Sequence, residues 1–197
     1  MKSLGKKGFT LIELLAVITI MGILMLVAIP AVSRTIENSR RDTFADLGKT
    51  YINTIRNAVI ADELTCGSTT VGATTVGTYY FKIGTQTGDS ALQQTTDIME
   101  KIGKSSWGSS DVKGYVKWVN AETTASGSTT GNVGFKTTYS VYLIDEGLHG
   151  MTETAENSIS RSSVKTKVSG VTAFSDVLQV PTKAASTDPD PVECTLK

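Results

Sequence analysis

The chain has 197 residues, with 19 basic and 19 acidic side chains, no net formal charge and 40% hydrophobic residues. This size suits one modest folded domain with an attached element and argues against a multidomain enzyme. With a single histidine and two cysteines, histidine-rich metal sites, zinc-ribbon spacing and catalysis by two imidazoles are excluded, so we expect no metal, no cofactor and no metal-dependent catalysis. The balanced charge leaves nucleic-acid binding unsupported, because phosphate contacts need an excess of clustered lysine and arginine.

Charged residues make up only 19% of the chain, while threonine, serine and glycine are abundant. Small hydroxylated side chains must then supply much of the polar surface, which is typical of an extracellular protein. We therefore expect most of the chain to lie outside the cell.

The first predicted element is an apolar helix that is long enough to span a membrane. No residue from Leu14 to Ser33 is charged, and a helix of this length matches the roughly 30 Å hydrocarbon core of a bilayer. Residues 1–8 carry three lysines and no acid, so the positive-inside bias places the N-terminus in the cytoplasm. A cleaved secretory signal is less well supported, because the residues around Pro30 make a poor cleavage site.

Glu13 is an acidic residue beside the apolar run, where a carboxylate is costly unless it has a partner. The residues from Lys6 to Leu15 around it resemble the processing signature of type IV pilins and of the related pseudopilins of type II secretion and competence systems. The resemblance covers roughly residues 1–60. It implies that a membrane-embedded prepilin peptidase cuts after Gly8 and methylates the new N-terminus, Phe9.

The chemistry of these residues fits such processing. A basic leader would hold the Gly8–Phe9 bond at the cytoplasmic face, and the glycine would let an extended backbone enter a protease site. After the cut the Phe9 amine is cationic, and Glu13 lies one helical turn away on the same face. The two groups pair within one chain or between neighbours, or Glu13 simply reaches toward lipid headgroups. The resemblance favours pairing between neighbours, which would set the register of an assembly.

Gly22 and Pro30 are two weak points in the predicted helix. Glycine weakens a helix by about 1 kcal/mol relative to alanine. Proline removes a backbone hydrogen bond and clashes with the carbonyl four residues earlier. By resemblance to filaments of the family we expect a helix break, a non-helical or stretched segment, between about Gly22 and Pro30. The alternative is a simple kink with the other hydrogen bonds intact.

Nearly every residue from Leu14 to Val32 is apolar, so this helix must be covered by lipid or by other helices. A core of packed copies is about as apolar as lipid, so transfer between the two would cost little. The resemblance implies a homo-oligomeric helical filament as the second environment. Its assembly would require the prepilin peptidase, a cytoplasmic ATPase and a platform membrane protein.

After Pro30 the pattern becomes amphipathic and predicts one buried helix face that packs on a sheet. The predicted apolar stripe consists of Phe44, Leu47, Tyr51, Ile52, Ile55, Val59 and Ile60. We expect the whole helix to run from about Phe9 to Leu64, with Cys66 and Gly67 as its stop.

From Thr65 onward, glycine and threonine separate short β-branched or aromatic runs, which predicts antiparallel strands joined by polar turns. The predicted strands are Tyr79–Ile83, Gly114–Val119, Val133–Ile144, Val164–Val168 and Val171–Val180. We also expect a short helix at Ser90–Ile102, an exposed loop at Ala121–Asn132 and an irregular tail at Ser186–Pro191.

Cys66 and Cys194 are the only thiols, and both lie on the side of the membrane that is predicted to be oxidising. A disulfide between them is the leading interpretation, and it would tie the irregular tail to the end of the helix. Pilins of the family often carry a C-terminal disulfide, but usually from a late strand, so this chain departs from the family pattern.

Other residues are better explained without a functional site. Asp176, Asp188 and Asp190 have no calcium-binding spacing and are expected to be solvated loop acids. His149 is expected in a turn. The interleaved tyrosines, tryptophan and lysines of the predicted strands are better explained by strand packing with lysines outside than by base stacking.

Together these features predict an α+β protein, in which a long N-terminal helix, apolar in its first half and amphipathic in its second, packs on a small antiparallel β-sheet. We expect residues 1–8 to form the leader, 9–33 the apolar membrane or filament-core helix, 34–64 the amphipathic half and 65–197 the α+β head. The resemblance implies a precursor in the cytoplasmic membrane and a surface filament that serves adhesion, twitching motility or DNA uptake.

The length, the threonine-rich head and Glu13 favour a major pilin. One alternative is a pseudopilin of a type II secretion or competence system. A more remote alternative is a membrane-anchored binding protein or enzyme with an uncleaved N-terminal helix.

Overall fold

The computed structural model describes residues 8–61, 64–66, 69–72, 76–84, 105–108, 111–124, 133–177 and 192–196. The chain divides into two compact units, Met1–Ser39 and Arg40–Lys197. Within the described residues the regular elements are α1 (Leu11–Ile60), β1 (Leu64–Cys66), β2 (Thr69–Val71), β3 (Gly77–Ile83), β4 (Val112–Thr124), β5 (Val133–Asp145), β6 (Gly150–Ala155) and β7 (Val192–Leu196). Short 3₁₀ turns occupy Glu156–Ser158, Arg161–Ser163 and Phe174–Asp176.

The second half of α1 buries one face in the second unit, as its amphipathic pattern predicts. Its buried residues are Phe44, Ala45, Leu47, Gly48, Tyr51, Ile52, Ile55, Ala58 and Val59. Ile60 was predicted to be part of this stripe, but it is 70% exposed because the helix ends there. Gly48 lets the helix approach the sheet closely, since a Cβ at this position would lie 3.3 Å from Cε of Met151.

The helix ends earlier than predicted. It ends at Ile60 rather than Leu64, and Leu64 already begins β1. Cys66 is therefore a strand residue and not part of a helix stop. Leu64 and Cys66 are buried in the main core, and this burial favours a strand position over a further helical turn.

The strands form one sheet in the order β2-β1-β7-β3-β4-β5-β6 among the described residues. Strands β3 to β6 are four consecutive antiparallel neighbours. Strand β7 lies between β1, to which it is antiparallel, and β3, to which it is parallel. The predicted α+β class is confirmed.

The main core lies between α1 and the sheet. Phe44, Ile52 and Ile55 of α1 share one buried cluster with Phe81, Val116, Trp118, Val141 and Leu143 of the strands. A second, smaller cluster joins Ile144, Val168 and Val177, with Tyr142 and Phe174 packed against it.

Three predicted strands, Tyr79–Ile83, Gly114–Val119 and Val133–Ile144, correspond to β3, β4 and β5. The strand predicted at Val164–Val168 is wrong, because this segment makes only an isolated bridge between Lys165 and Gly150. Val171–Val180 is also wrong over its described part, where Phe174–Asp176 forms a 3₁₀ turn. Val164, Val168 and Val177 are buried core residues in irregular backbone, and burial rather than strand pairing explains them.

Strands β6 and β7 were not predicted. The first four residues of the loop predicted at Ala121–Asn132 belong to β4, and the remainder lies outside the described residues. The predicted helix at Ser90–Ile102 and the predicted tail at Ser186–Pro191 also lie outside them.

Candidate processing and assembly segment

The predicted cleavage site lies ahead of the helix, in non-helical backbone. Gly8, Phe9 and Thr10 precede the first helical residue, Leu11, and all three are exposed. The Phe9 side chain is 88% exposed, and a Cβ at Gly8 would meet no described atom within 4 Å. An enzyme could therefore reach the Gly8–Phe9 bond without unwinding a helix, although cleavage and methylation at this position remain predictions.

The helix begins with a capping box formed by Thr10 and Glu13. Oε2 of Glu13 accepts hydrogen bonds from the backbone N–H and the hydroxyl of Thr10, both at 2.8 Å. The N–H of Glu13 donates to Oγ1 of Thr10 at 3.3 Å. These bonds satisfy backbone donors that the first helical turn leaves without partners. The role of Thr10 was not predicted from the sequence, although a Thr followed three residues later by Glu is the usual capping-box pattern.

The predicted partner of Glu13 is the amine that cleavage would create at Phe9. The described chain retains Gly8, so this amine is absent and the pairing remains a prediction. Both bonds from Thr10 end on Oε2. Within the described ranges no donor is bound to Oε1, so this oxygen can accept a further hydrogen bond.

The first half of α1 presents an apolar surface on all sides. Its exposed large side chains include Leu11, Ile12, Leu14, Leu15, Val17, Ile18, Ile20, Met21, Ile23, Leu24, Met25, Leu26, Val27, Ile29 and Val32. By length and composition α1 can cross a membrane. An apolar surface of this extent needs lipid or other protein around it.

The hydroxyl groups of this half are bonded within the helix itself. Oγ1 of Thr19 donates to the carbonyl oxygen of Ala16 at 2.8 Å, and Oγ of Ser33 donates to that of Ile29 at 2.9 Å. Such bonds let polar side chains enter an apolar environment without an external partner.

Gly22 and Pro30 both lie inside α1, which is helical from Leu11 to Ile60. A Cβ at Gly22 would meet no described atom within 4 Å. In the single chain the segment between these two residues is therefore helical. The break that we expect in a filament remains a prediction for the assembled state.

The disulfide between Cys66 and Cys194 is present. The two residues face each other across β1 and β7, with their Cα atoms 4.0 Å apart, and both are buried. The prediction that the bond ties a tail to the helix end is wrong, because it joins two paired strands of the sheet. The C-terminal part of the chain is an ordered strand at this point.

Among the described residues no group of three or more histidine, cysteine, aspartate or glutamate side chains could hold a metal ion. The carboxylate of Asp176 accepts hydrogen bonds from the hydroxyls of Thr172 and Ser175. Asp188 and Asp190 lie outside the described residues.

His149 lies in the turn between β5 and β6, as predicted, but it has a specific partner. Its Nδ1 is 3.0 Å from Oδ1 of Asp145, and its ring stacks on Trp107 with 4.5 Å between the centroids. Oγ of Ser105 donates to Oδ2 of Asp145. Serine and histidine thus both bind the carboxylate and do not bind each other, so the geometry does not match a serine nucleophile activated by histidine.

The aromatic residues of the strands pack within the sheet. Tyr80, Tyr115 and Tyr142 form a row with centroid distances of 5.5 and 5.2 Å. Tyr80 and Tyr115 are buried, which removes the exposed ring faces that base stacking requires.

Partial burial alone would raise the pKa of Glu153, but hydrogen bonds from Lys117 and Tyr115 outweigh it and lower the pKa below 4.5.

A family model, the prokaryotic N-terminal methylation motif, matches residues 4–29. Neither a curated protein nor a solved structure matches the chain significantly. The matched motif includes the predicted cleavage site, the capping box and the start of the apolar surface. The long helix with its antiparallel sheet is an arrangement like that of type IV pilins. The N-terminal segment of this chain thus matches the methylation motif found in the class III signal peptide of type IV pilins and pseudopilins, which supports a structural protein of the pilin-like or pseudopilin type.

Proposed function

We propose that the chain is a major pilin, the structural subunit of a type IV pilus-like surface filament. It is made as a membrane precursor with a cytoplasmic N-terminus, and a prepilin peptidase cuts it between Gly8 and Phe9 and methylates Phe9. The first half of α1 then leaves the lipid and packs against identical helices, with the help of an assembly ATPase and a platform protein. The filament serves adhesion, twitching motility or DNA uptake.

The observation that carries this proposal is the apolar surface of α1, which begins within the methylation motif. Lipid can cover the surface before cleavage, and copies of the same helix can cover it afterwards at little cost in free energy. Glu13 supplies a charge at one end of an otherwise non-directional contact surface. A pseudopilin of a secretion or competence machine carries the same motif, and it would form short fibres instead of long surface filaments.

The test is to shear the surface material from cells that express the chain and to analyse it by electron microscopy and intact-mass spectrometry. We expect long filaments whose subunit begins at a methylated Phe9. Short fibres that remain in the cell envelope would support the pseudopilin instead. Subunits that keep residues 1–8 and remain dispersed in the membrane would contradict both.

The first prediction concerns Glu13. Glu13→Ala should leave the precursor stable in the membrane, because the residue is exposed and its loss removes only local bonds. Filament yield should fall by about tenfold or more, since truncating one partner of a buried charge pair costs about 2 to 5 kcal/mol, and about 1.4 kcal/mol corresponds to a factor of ten. Quantitative immunoblotting of sheared and membrane fractions measures both effects. Normal filament yield would contradict a pairing role for Glu13.

A further inference from the structure

We infer that residues 105–108 and the turn at residues 145–149 form a proton-sensitive clasp, which holds the buried half of α1 to the head more firmly when His149 is protonated. The inference concerns the stability of the head and goes beyond the proposed function. It uses the single histidine of the chain, which the proposed assembly does not involve.

The clasp contacts the helix through Trp107. The Trp107 ring stacks flat on the His149 ring, with 4.5 Å between the centroids and 1° between the planes. It also makes an edge contact with Phe44 of α1, at a centroid distance of 5.6 Å. The hydroxyl of Ser106 donates to the carbonyl oxygen of Arg40 at 2.7 Å. A firmly held His149 ring therefore holds the helix through Trp107.

The turn fixes His149 against Asp145. Leu148 has a φ of 62°, a left-handed conformation that bulky residues rarely adopt. It is held there by its N–H, which donates to the carbonyl oxygen of Asp145, and by its carbonyl oxygen, which accepts from the N–H of Val168. The backbone N–H and the ring Nδ1 of His149 both lie against Oδ1 of Asp145, at 2.9 and 3.0 Å. The position of the ring is thus set by the backbone.

A proton on His149 places a positive charge beside two groups that attract it. The carboxylate of Asp145 is fully buried, where water screens its charge less than at the surface. The face of the Trp107 ring is negative and attracts a cation that stacks on it. The neutral ring keeps its contact with the carboxylate but loses both attractions. Because the His149 side chain is 24% exposed, the proton can be exchanged with water.

The charged groups of the neighbouring elements do not oppose this attraction directly. Glu146 lies in the same turn and adds a second negative charge. Lys165 pairs with β6 through its backbone, and its ammonium group donates to the carbonyl oxygen of Ser162 at 3.0 Å. Arg40 of α1 meets the clasp through its carbonyl oxygen, and residues 105–108 are uncharged. Negative charge therefore dominates around the ring.

Protons should stabilise the head in the range where histidine ordinarily titrates, between about pH 5 and 8. If the folded state favours the protonated ring, this stabilisation is present in acid and is lost as the pH rises. The chain has no other histidine, and both of its cysteines are in the disulfide. A change in stability between pH 5.5 and 7.5 is thus assigned to His149.

The test measures the melting temperature of the full chain in a non-ionic detergent at pH 5.5 and 7.5. We expect the unmodified chain to melt about 2 to 4 °C higher at pH 5.5, the shift that one modest interaction gives a chain of this size. His149→Gln keeps an N–H donor for Asp145 but cannot bind the proton, so it should melt at one temperature. Glu153→Gln is the control and should keep the full difference, because Glu153 is bound by Lys117 and not by His149.

The fluorescence of Trp107 provides a second measurement. A protonated imidazole that stacks on an indole quenches its emission, so the emission should fall between pH 7.5 and 5.5. Trp107→Phe keeps a ring between His149 and Phe44 and should abolish this fall. The remaining tryptophan, Trp118, is fully buried in the main core and stacks on Tyr79.

Three results would overturn the inference: equal melting temperatures of the unmodified chain at the two pH values, a full difference that persists in His149→Gln, or constant emission of the unmodified chain. If His149→Gln does not fold, the two measurements on the unmodified chain still decide. None of these results bears on the proposed function, which is tested by the filaments and by the mass of the mature subunit.

Discussion

Asp145 shows how a single buried charge organises one end of the head. The residue is fully buried at the end of β5, and its carboxylate accepts hydrogen bonds from Oγ of Ser105, from the backbone N–H of His149 and from the His149 ring. A buried carboxylate is tolerated only when such donors surround it. His149 was predicted in a turn, but the roles of Asp145 and Ser105 were not predictable from the sequence, because their contact spans 40 positions of the chain.

Ser105→Ala should destabilise the head by about 1 to 3 kcal/mol, because it leaves the buried carboxylate with one donor fewer. Chemical denaturation followed by circular dichroism measures this change. The control is Ser106→Ala, since Ser106 is more exposed and donates to the carbonyl oxygen of Arg40. Equal effects of the two substitutions would mean that the donor to Asp145 is unimportant.

Glu153 makes the stability of the folded head depend on pH. Its carboxylate accepts hydrogen bonds from Tyr115, Lys117 and Ser140 at 2.9, 2.8 and 3.2 Å. Although partial burial opposes ionisation, these bonds lower the pKa of Glu153 below its ordinary 4.5. A carboxyl group with a lowered pKa in the folded state stabilises the fold above its unfolded pKa, and this stabilisation is lost as the pH falls through the folded value.

Glu153→Gln should therefore lower the melting temperature at neutral pH, and the difference from the unmodified chain should shrink steadily below pH 4.5. Thermal unfolding between pH 3 and pH 7 measures the two curves. Glu122→Gln is the control, because Glu122 is exposed on β4. A difference that stays constant over this range would show that the ionised form of Glu153 does not stabilise the head.

Helix α1 was largely predictable because its signals are local. The apolar run, the methylation motif and the stripe from Phe44 to Val59 are all read from residues a few positions apart. The end of the helix was not predictable in this way. Leu64 and Cys66 continue the apolar pattern, but they bury their side chains in a strand whose partner β7 begins more than 100 residues later.

The strands were likewise predictable only where their sequence pattern is local and regular. Strands β3, β4 and β5 have long β-branched and aromatic runs, and these were found. Strand β6, Gly150–Ala155, has a less regular pattern and pairs with β5 through an irregular register. The sequence of Val164–Val168 is more typical of a strand, but this segment has irregular backbone and buries Val164 and Val168 in the core. Local pattern cannot distinguish a buried valine in a sheet from one in a loop.

The disulfide has its effect at the level of strands, since it joins β7 to β1 near one edge of the sheet. The two cysteines are separated by 128 positions, so closure of this loop should stabilise the fold by about 4 to 5 kcal/mol in the chain-entropy model. Strand β1 reaches β3 only through β7. Loss of the bond should thus weaken the β1–β2 edge and the C-terminal strand together.

Cys66→Ser with Cys194→Ser should lower the melting temperature of the oxidised protein markedly, while cleavage at Gly8 proceeds as before. Scanning calorimetry under oxidising conditions measures the first effect, and the mass of the mature subunit measures the second. The unmodified chain treated with a reductant is the matched control. Melting temperatures that are the same with and without the bond would show that the bond does not stabilise the head.

At the scale of the whole molecule, the chain combines two units with different requirements. The unit Met1–Ser39 has an apolar surface that must be covered by lipid or by other protein. The unit Arg40–Lys197 has its own hydrophobic core. The sequence predicted the apolar chemistry of the first unit, because this depends on composition. It could not predict the order of the strands, which depends on contacts between distant residues.

The inward hydrogen bonds of Thr19 and Ser33 have a mechanical consequence for the proposed filament. With the hydroxyls of Thr19 and Ser33 bonded to the helix backbone, the lateral surface of the rod offers neighbours mainly dispersion contacts, which are individually weak and lack the directionality of hydrogen bonds. A filament built from such helices should therefore twist far more easily than its helices slide along the filament axis. Axial sliding is resisted by the charge of Glu13 at one end of the helix.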